Sequence, residues 1–224
     1  MSLLRTNRKK GERVMRYSGM PAGMWMFYKG AFRRGLVRDL GYTPAAAASV
    51  AKAAKSRYRE IIGGLPEFER DDRFKTNIIS CATFTAFLLC MDRRPTVEEA
   101  TRYYEHAMTN AVTKVFCRKA GKKKFTEADI EGQKKTAALR AGDRNPYSWT
   151  MDYLPYSDGS GYEARFYTCG ICTLMKEYGF YDLVPAMCHL DYTMSELGGA
   201  SVFVREYTLA SGGPYCDCGY KRKH

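Results

Sequence analysis

The sequence predicts an α+β fold, with a helical N-terminal half packed on a C-terminal antiparallel sheet that carries two helices, and three observations support it. Up to residue 141, apolar residues recur at helical spacing between recognisable caps. From Gly142 the texture changes to "GDRNPYSWTMDYLPYSDGSGYEARFYT", rich in turn residues and aromatics, which fits two short strands. Near the C-terminus an alternating segment and a cysteine-bearing segment flank a glycine turn, the pattern of two paired strands. A single domain over residues 1–224 is expected, long enough to bury a sizeable core, with 1–141 its mainly helical part and 142–224 its cysteine-bearing α+β part.

In order along the chain, Met24 to Leu40 spaces Trp25, Met26, Phe32, Leu36 and Leu40 roughly as a helix would. Thr43 and Pro44 give a cap followed by proline at the first helical position, and the alanine-rich run that follows stops at Gly63 and Gly64. Asn77 to Met91 is apolar almost all round and reads as a central buried helix. Thr96 and Glu99 form a capping box that opens a helix ending near Phe116 and Cys117. Thr126 to Asp129 starts a short helix that Gly132 weakens. Strands are expected at about Ser148–Tyr153 and Glu163–Thr168, joined by a turn from Ser157 to Gly161. Helical period returns after Cys169 as far as Tyr178, and Pro185 opens a further helix to Leu197 that Gly198 and Gly199 close. "ASVFVREYTLA" reads as a strand that pairs with "YCDCGYKRK" across the Ser211–Pro214 turn.

Net charge is +12, divided unevenly into +15 for residues 1–150 and −3 for residues 151–224. The longest basic run, Arg118 to Phe125, falls at a connection between helices and reads as a solvated loop. Basic residues are not interleaved with aromatics on a recognisable platform, so no nucleic-acid partner is expected. No apolar run reaches the roughly 18 residues a membrane helix needs, and the N-terminal segment lacks the apolar core of a secretory signal. The expectation is a cytoplasmic protein with reduced cysteines and no membrane partner, in a chain whose assembly into a homo-oligomer stays open.

Five of the eight cysteines fall between Phe166 and Tyr220: Cys169 and Cys172 in "TCGIC", Cys188 in "AMCHLD", and Cys216 and Cys218 in "SGGPYCDC". Cys169 stands where a strand hands over to a helix, a position whose free N–H groups favour a thiolate and lower its pKa. The C-x-x-C offers a redox pair or half of a metal site; the first lacks a thioredoxin-like context, and the spacing suits structural zinc imperfectly. No cofactor is therefore expected, with zinc kept as the alternative. Asp191 lies three residues after Cys188, on the same face of one helix, whereas His189 points about 100° away.

The pieces "YTC......KEYG", "L.PAMCHLDYTM" and "RE.TLASGG..CD" resemble the L-2-amino-thiazoline-4-carboxylic acid hydrolase-like family. The matching positions are Cys169, Cys188, Asp191, Arg205, Thr208, Gly212, Cys216 and Asp217. Cys172 and Cys218 depart from the pattern, the latter standing where phenylalanine is usual, so a mechanism common to the family cannot rest on them. The resemblance implies opening of a cyclic aminothiazoline carboxylate by addition of water to an amidine-like carbon, with the ring sulfur leaving as a thiolate. That chemistry asks for a nucleophile or polarised water, a proton donor and a cation for the carboxylate. It implies that Cys169 or Cys216 attacks or binds the carbon, with Cys188 beside them, that Asp191 or Asp217 manages protons, and that Arg205 pairs with the carboxylate. Thr208 and the backbone of Gly212 and Gly213 would hydrogen-bond the intermediate. The ending is also similar to vinyl-reductase-like ligand-binding domains that hold zinc, but Arg205 stands about where a carboxylate ligand would be needed. A small-molecule sensor without turnover is the rival reading.

Overall fold

The computed structural model describes residues 17–19 and 23–223. The N-terminal segment that reads as lacking a secretory signal lies outside the described residues. Helix α1 (Met24–Leu40) buries Trp25, Tyr28, Phe32, Leu36 and Leu40 on one side, as their spacing requires. Helix α2 (Pro44–Gly64) starts where the Thr43 hydroxyl accepts from the Ala46 N–H at 3.2 Å; Gly63 and Gly64 are its last residues. Helix α3 (Lys75–Leu88) is buried at every position from Ile78 to Leu88. Its Phe84 and Phe87 pack on Phe32 of α1, and Phe84 also meets Tyr103 and Tyr104. Such ring pairs contribute ~0.5–1.5 kcal/mol each beyond the area they bury.

The helix expected to run from Thr96 to Cys117 is two helices, α4 (Val97–Met108) and α5 (Ala111–Gly121). The Asn110 side chain accepts from the Thr113 N–H at 3.1 Å, a second cap that restarts the chain in a new direction. Helix α6 (Glu127–Arg140) runs 14 residues despite Gly132. It buries Gln133, Thr136 and Arg140 on one face, and tertiary anchoring outweighs the local glycine penalty. The solvated-loop reading of the basic run fails at Lys124. Its amine lies 3.3 Å from the centre of the Tyr220 ring and 4.8 Å from that of Tyr162, and burial lowers its pKa to about 8.

The main sheet has the order β3–β4–β6–β5, antiparallel throughout: β3 (Met151–Pro155), β4 (Gly161–Phe166), β5 (Ser201–Val204) and β6 (Cys216–Arg222). A two-residue ladder pairs β1 (Tyr17–Ser18) with β2 (Phe68–Glu69). The β3 strand begins three residues later than expected because Ser148 is held elsewhere: the Arg140 guanidinium donates to its hydroxyl at 2.9 Å. The same Arg140 nitrogen reaches Asp72 and Asp143 at 2.6 Å each, and all three side chains are nearly sealed from water. This cluster ties the end of α6 to the turn before α3 and to the loop before β3.

Three helices complete the fold: α7 (Gly170–Glu177), α8 (Val184–Cys188) and α9 (Leu190–Gly198). The single helix expected from Pro185 to Leu197 is thus interrupted at His189. One core lies among the helices; a second lies between the sheet and Phe74, Ile78 and Trp149. Trp25 and Trp149 belong to these cores. Ile171 of α7 packs against both, so α7 stands at the seam where the cysteines gather. Among the described residues no helix is long and apolar enough to cross a membrane.

Candidate functional site

The site is assembled from three chain segments. Cys169 caps α7, whose first residue, Gly170, leaves no room for a side chain: a Cβ there would stand 2.0 Å from the Tyr147 carbonyl oxygen. Thr173 donates to the Pro146 carbonyl at 2.8 Å and Tyr147 to Glu177 at 2.7 Å, so the loop before β3 is clasped along α7. The Cys169 thiol is half-buried, with Cys172 one turn on. The neighbouring Cys172 thiol and burial push its pKa well up, against the pull of the N–H groups of Cys172 and Ile171. The lowered pKa expected at a helix start is therefore not found: a neighbouring thiol and poor solvation keep the proton on Cys169.

The break at His189 decides the second segment. Tyr192 N–H bonds the His189 carbonyl, leaving the Cys188 carbonyl free for Arg205, which donates to it at 2.9 Å. The other arm of Arg205 donates to Asp191 at 2.8 Å. Its guanidinium also lies 5.2 Å from the centres of the Tyr192 and Phe203 rings. Arg205 thus links the Cys188 backbone to the Asp191 carboxylate. Burial raises the Asp191 pKa, and the charge and hydrogen bond of Arg205 oppose the rise. Burial, then Asp191, pushes the Cys188 thiol up.

Cys216 comes from the third segment, on the face of β6 that also carries Cys218 and Tyr220 toward the sheet core. Its Sγ accepts from the Leu209 N–H at 3.2 Å. Burial raises this thiol to about 11, with charges on Cys169 and Asp191 adding to the rise and Arg205 countering it. Cys169 and Asp191 act on Cys188 in the same sense. Cys169, Cys188, Cys216, Asp191 and Arg205 therefore form one electrostatic neighbourhood.

The remaining expected residues are placed differently. Asp217 projects from the opposite face of β6, where its oxygens accept from the N–H groups of Glu206 at 2.9 Å and Tyr207 at 2.6 Å. It shapes the β5–β6 connection. Thr208 caps the turn Leu209–Ser211, accepting from the Ser211 N–H at 3.0 Å. The N–H groups of Gly212 and Gly213 are donated to the carbonyls of Leu209 and Thr208, so they build the turn instead of facing a ligand. Sequence reasoning passed over Tyr181, whose hydroxyl donates to the Leu209 carbonyl at 2.9 Å. A tyrosine in a short turn between helices carries no periodic signal that would single it out. Among the described residues no three His, Cys, Asp or Glu side chains are grouped to hold a metal ion.

The family model for L-2-amino-thiazoline-4-carboxylic acid hydrolase matches residues 76–220, well over half of the chain. The chain belongs to this family. The match runs from the start of the buried helix α3 through β6, and so takes in all three segments of the site in this family member. No curated protein and no solved structure matches the chain.

Proposed function

We propose that this family member opens a small cyclic amidine or thiazoline carboxylate by addition of water and cleavage of the ring C–S bond. The observation that carries the reading is the meeting of three thiols with the Asp191–Arg205 pair, within the segment that the family model covers. Water adds to the amidine-like carbon, the C–S bond breaks, and the departing sulfur takes a proton. Cys169 or Cys216 attacks or binds the carbon, Asp191 handles the proton and Arg205 meets the substrate carboxylate. Arg205 is already oriented by Asp191 and the Cys188 carbonyl, so it offers a fixed cation rather than a mobile one. Asp217 takes no part, since both its oxygens are occupied by backbone N–H groups.

A second reading, a small-molecule sensor without turnover, draws on the raised pKa values of Cys169, Cys188 and Cys216, because a protonated thiol is a poor nucleophile. A thermal-shift screen of thiazoline and other cyclic amidine carboxylates tests the binding that both readings share. A true ligand at 100 times its dissociation constant stabilises the fold by ~2.7 kcal/mol. The hydrolase reading predicts that the stabilising ligand is consumed; a ligand bound and recovered intact supports the sensor. No shift with any member of the class counts against both.

A further inference from the structure

Helix α5 is held to the fold along one side. Cys117 and Gly121, four residues apart, face α9: the Cys117 thiol donates to the Met194 sulfur at 3.6 Å, and a Cβ on Gly121 would stand 1.9 Å from the Gly198 carbonyl oxygen. Cys117 is the one buried residue of the helix. Away from α9, Val112, Val115, Phe116 and Lys119 recur at the spacing of a single helical face. The three apolar side chains are 64%, 51% and 67% open to solvent. Adjacent on one face, they make a patch rather than the scattered single residues that any surface shows. Lys114, Arg118, Lys119, Lys122 and Lys123 lie around them, all exposed. Between Glu105 and Glu127 the chain carries six basic residues and no acidic one, so nothing in the segment neutralises this charge.

We infer that α5 is an interfacial helix that seats this protein on an anionic lipid surface, with Val112, Val115 and Phe116 entering the boundary between headgroups and acyl chains and the basic residues meeting the headgroup anions. An 11-residue helix is too short to cross a bilayer, but a helix lying in its surface needs only an apolar stripe flanked by Lys and Arg. Shape and charge together select this occupant. The patch lies on the convex side of a helix, which offers no cleft to enclose a small molecule or an extended peptide. A second copy of the chain that met α5 with its own α5 would oppose like charges. Nucleic acid would satisfy the lysines and leave the three apolar side chains in water. A plane of anionic headgroups over acyl chains satisfies both at once. The helix carries none of the residues assigned to the thiol site, so the inference stands apart from the hydrolase reading.

Co-sedimentation of the full chain with lipid vesicles tests this. Binding is expected to mixed phosphatidylcholine and phosphatidylserine vesicles, weakening as salt is added, and not to phosphatidylcholine alone. Val115→Ser combined with Phe116→Ser leaves the charge unchanged and should weaken binding about tenfold or more. Lys119→Gln combined with Lys123→Gln should weaken it about fivefold for each charge removed. Lys52→Gln combined with Lys55→Gln, at exposed positions of α2, removes the same charge elsewhere and should change it by less than about twofold. All six side chains are exposed, and an unchanged thermal unfolding curve shows that each variant is folded. No binding to the mixed vesicles would overturn the proposal. So would serine variants that bind like the native protein, or α2 variants that lose as much as the lysine variants of α5, since net charge alone would then account for the adhesion. A native chain that sediments as a dimer without lipid, and as a monomer once Phe116 is serine, would also overturn it by giving the face to a second copy.

Discussion

Arg140 is the largest fully buried side chain among the described residues, and it holds two buried carboxylates with one nitrogen. Its second terminal nitrogen has no hydrogen-bond partner, so the cluster is costly to assemble and costlier to break. Arg140→Met would leave Asp72 and Asp143 facing each other without a counter-charge. A loss of about 3–5 kcal/mol in denaturant unfolding is expected. Gly170→Ala acts nearer the site, since the added carbon would overlap the Tyr147 carbonyl at 2.0 Å and push α7 from its loop. Overpacking of this kind costs about 1–3 kcal/mol, and the shift of Cys169 should also lower turnover. Little of this was legible beforehand. Asp143 lies three residues from Arg140 and could have been paired with it on a helix, but Asp72 arrives from a turn 68 residues away that reads as solvent-facing. Cys169 shows a related failure: its place at a helix start was readable, and the thiol of Cys172 that reverses its pKa depends on side-chain direction.

The capping box of α4 joins local sequence to stability most directly. Thr96 accepts from the Glu99 N–H at 3.2 Å, and the Glu99 carboxylate accepts from the Thr96 N–H at 3.0 Å and from Arg93 at 2.7 Å. Thr96→Ala should cost about 1 kcal/mol, measured at neutral pH. Hydrogen bonds from Arg93 and the Thr96 backbone depress Glu99 from 4.5 to about 2. A depressed acid contributes its stabilisation fully above its unfolded value and loses it as pH falls through its folded one. Glu99→Gln should therefore weaken the protein at pH 6, and the difference from the native chain should fade as pH falls from 4.5 to about 2. Three of the helices were readable because they begin with caps of this sort, at Thr43, Thr96 and Thr126. The two breaks that were missed lie at Asn110 and His189. The first is an Asn cap hidden inside a continuous apolar period; the second has no sequence mark, since the carbonyl it frees is taken by Arg205 from another element.

Across the molecule, the helical half supplies one core, the sheet supplies Cys216, and α7 stands at the seam with Ile171 packed on both cores. The α+β architecture was legible in the change of texture after residue 141, because period and turn chemistry are local properties. The family's cysteines and Asp191 were legible as a set, and Cys188 and Cys216 both feel the charges of Cys169, Asp191 and Arg205. What the sequence hid was which of these groups are already occupied. Asp217, Thr208 and Gly212 match the family pattern yet, with Gly213 beside them, spend their polar groups on the β5–β6 connection. Their substitution should alter the loop before it alters any chemical step. The most direct test of the account is the turnover of 2-amino-thiazoline-4-carboxylate by the native protein and by Cys169→Ser, Cys188→Ser and Cys216→Ser. Turnover by the native protein is expected, with a loss of about 100-fold or more for Cys169→Ser or Cys216→Ser. Full turnover by all three variants, or none by the native protein, would contradict it.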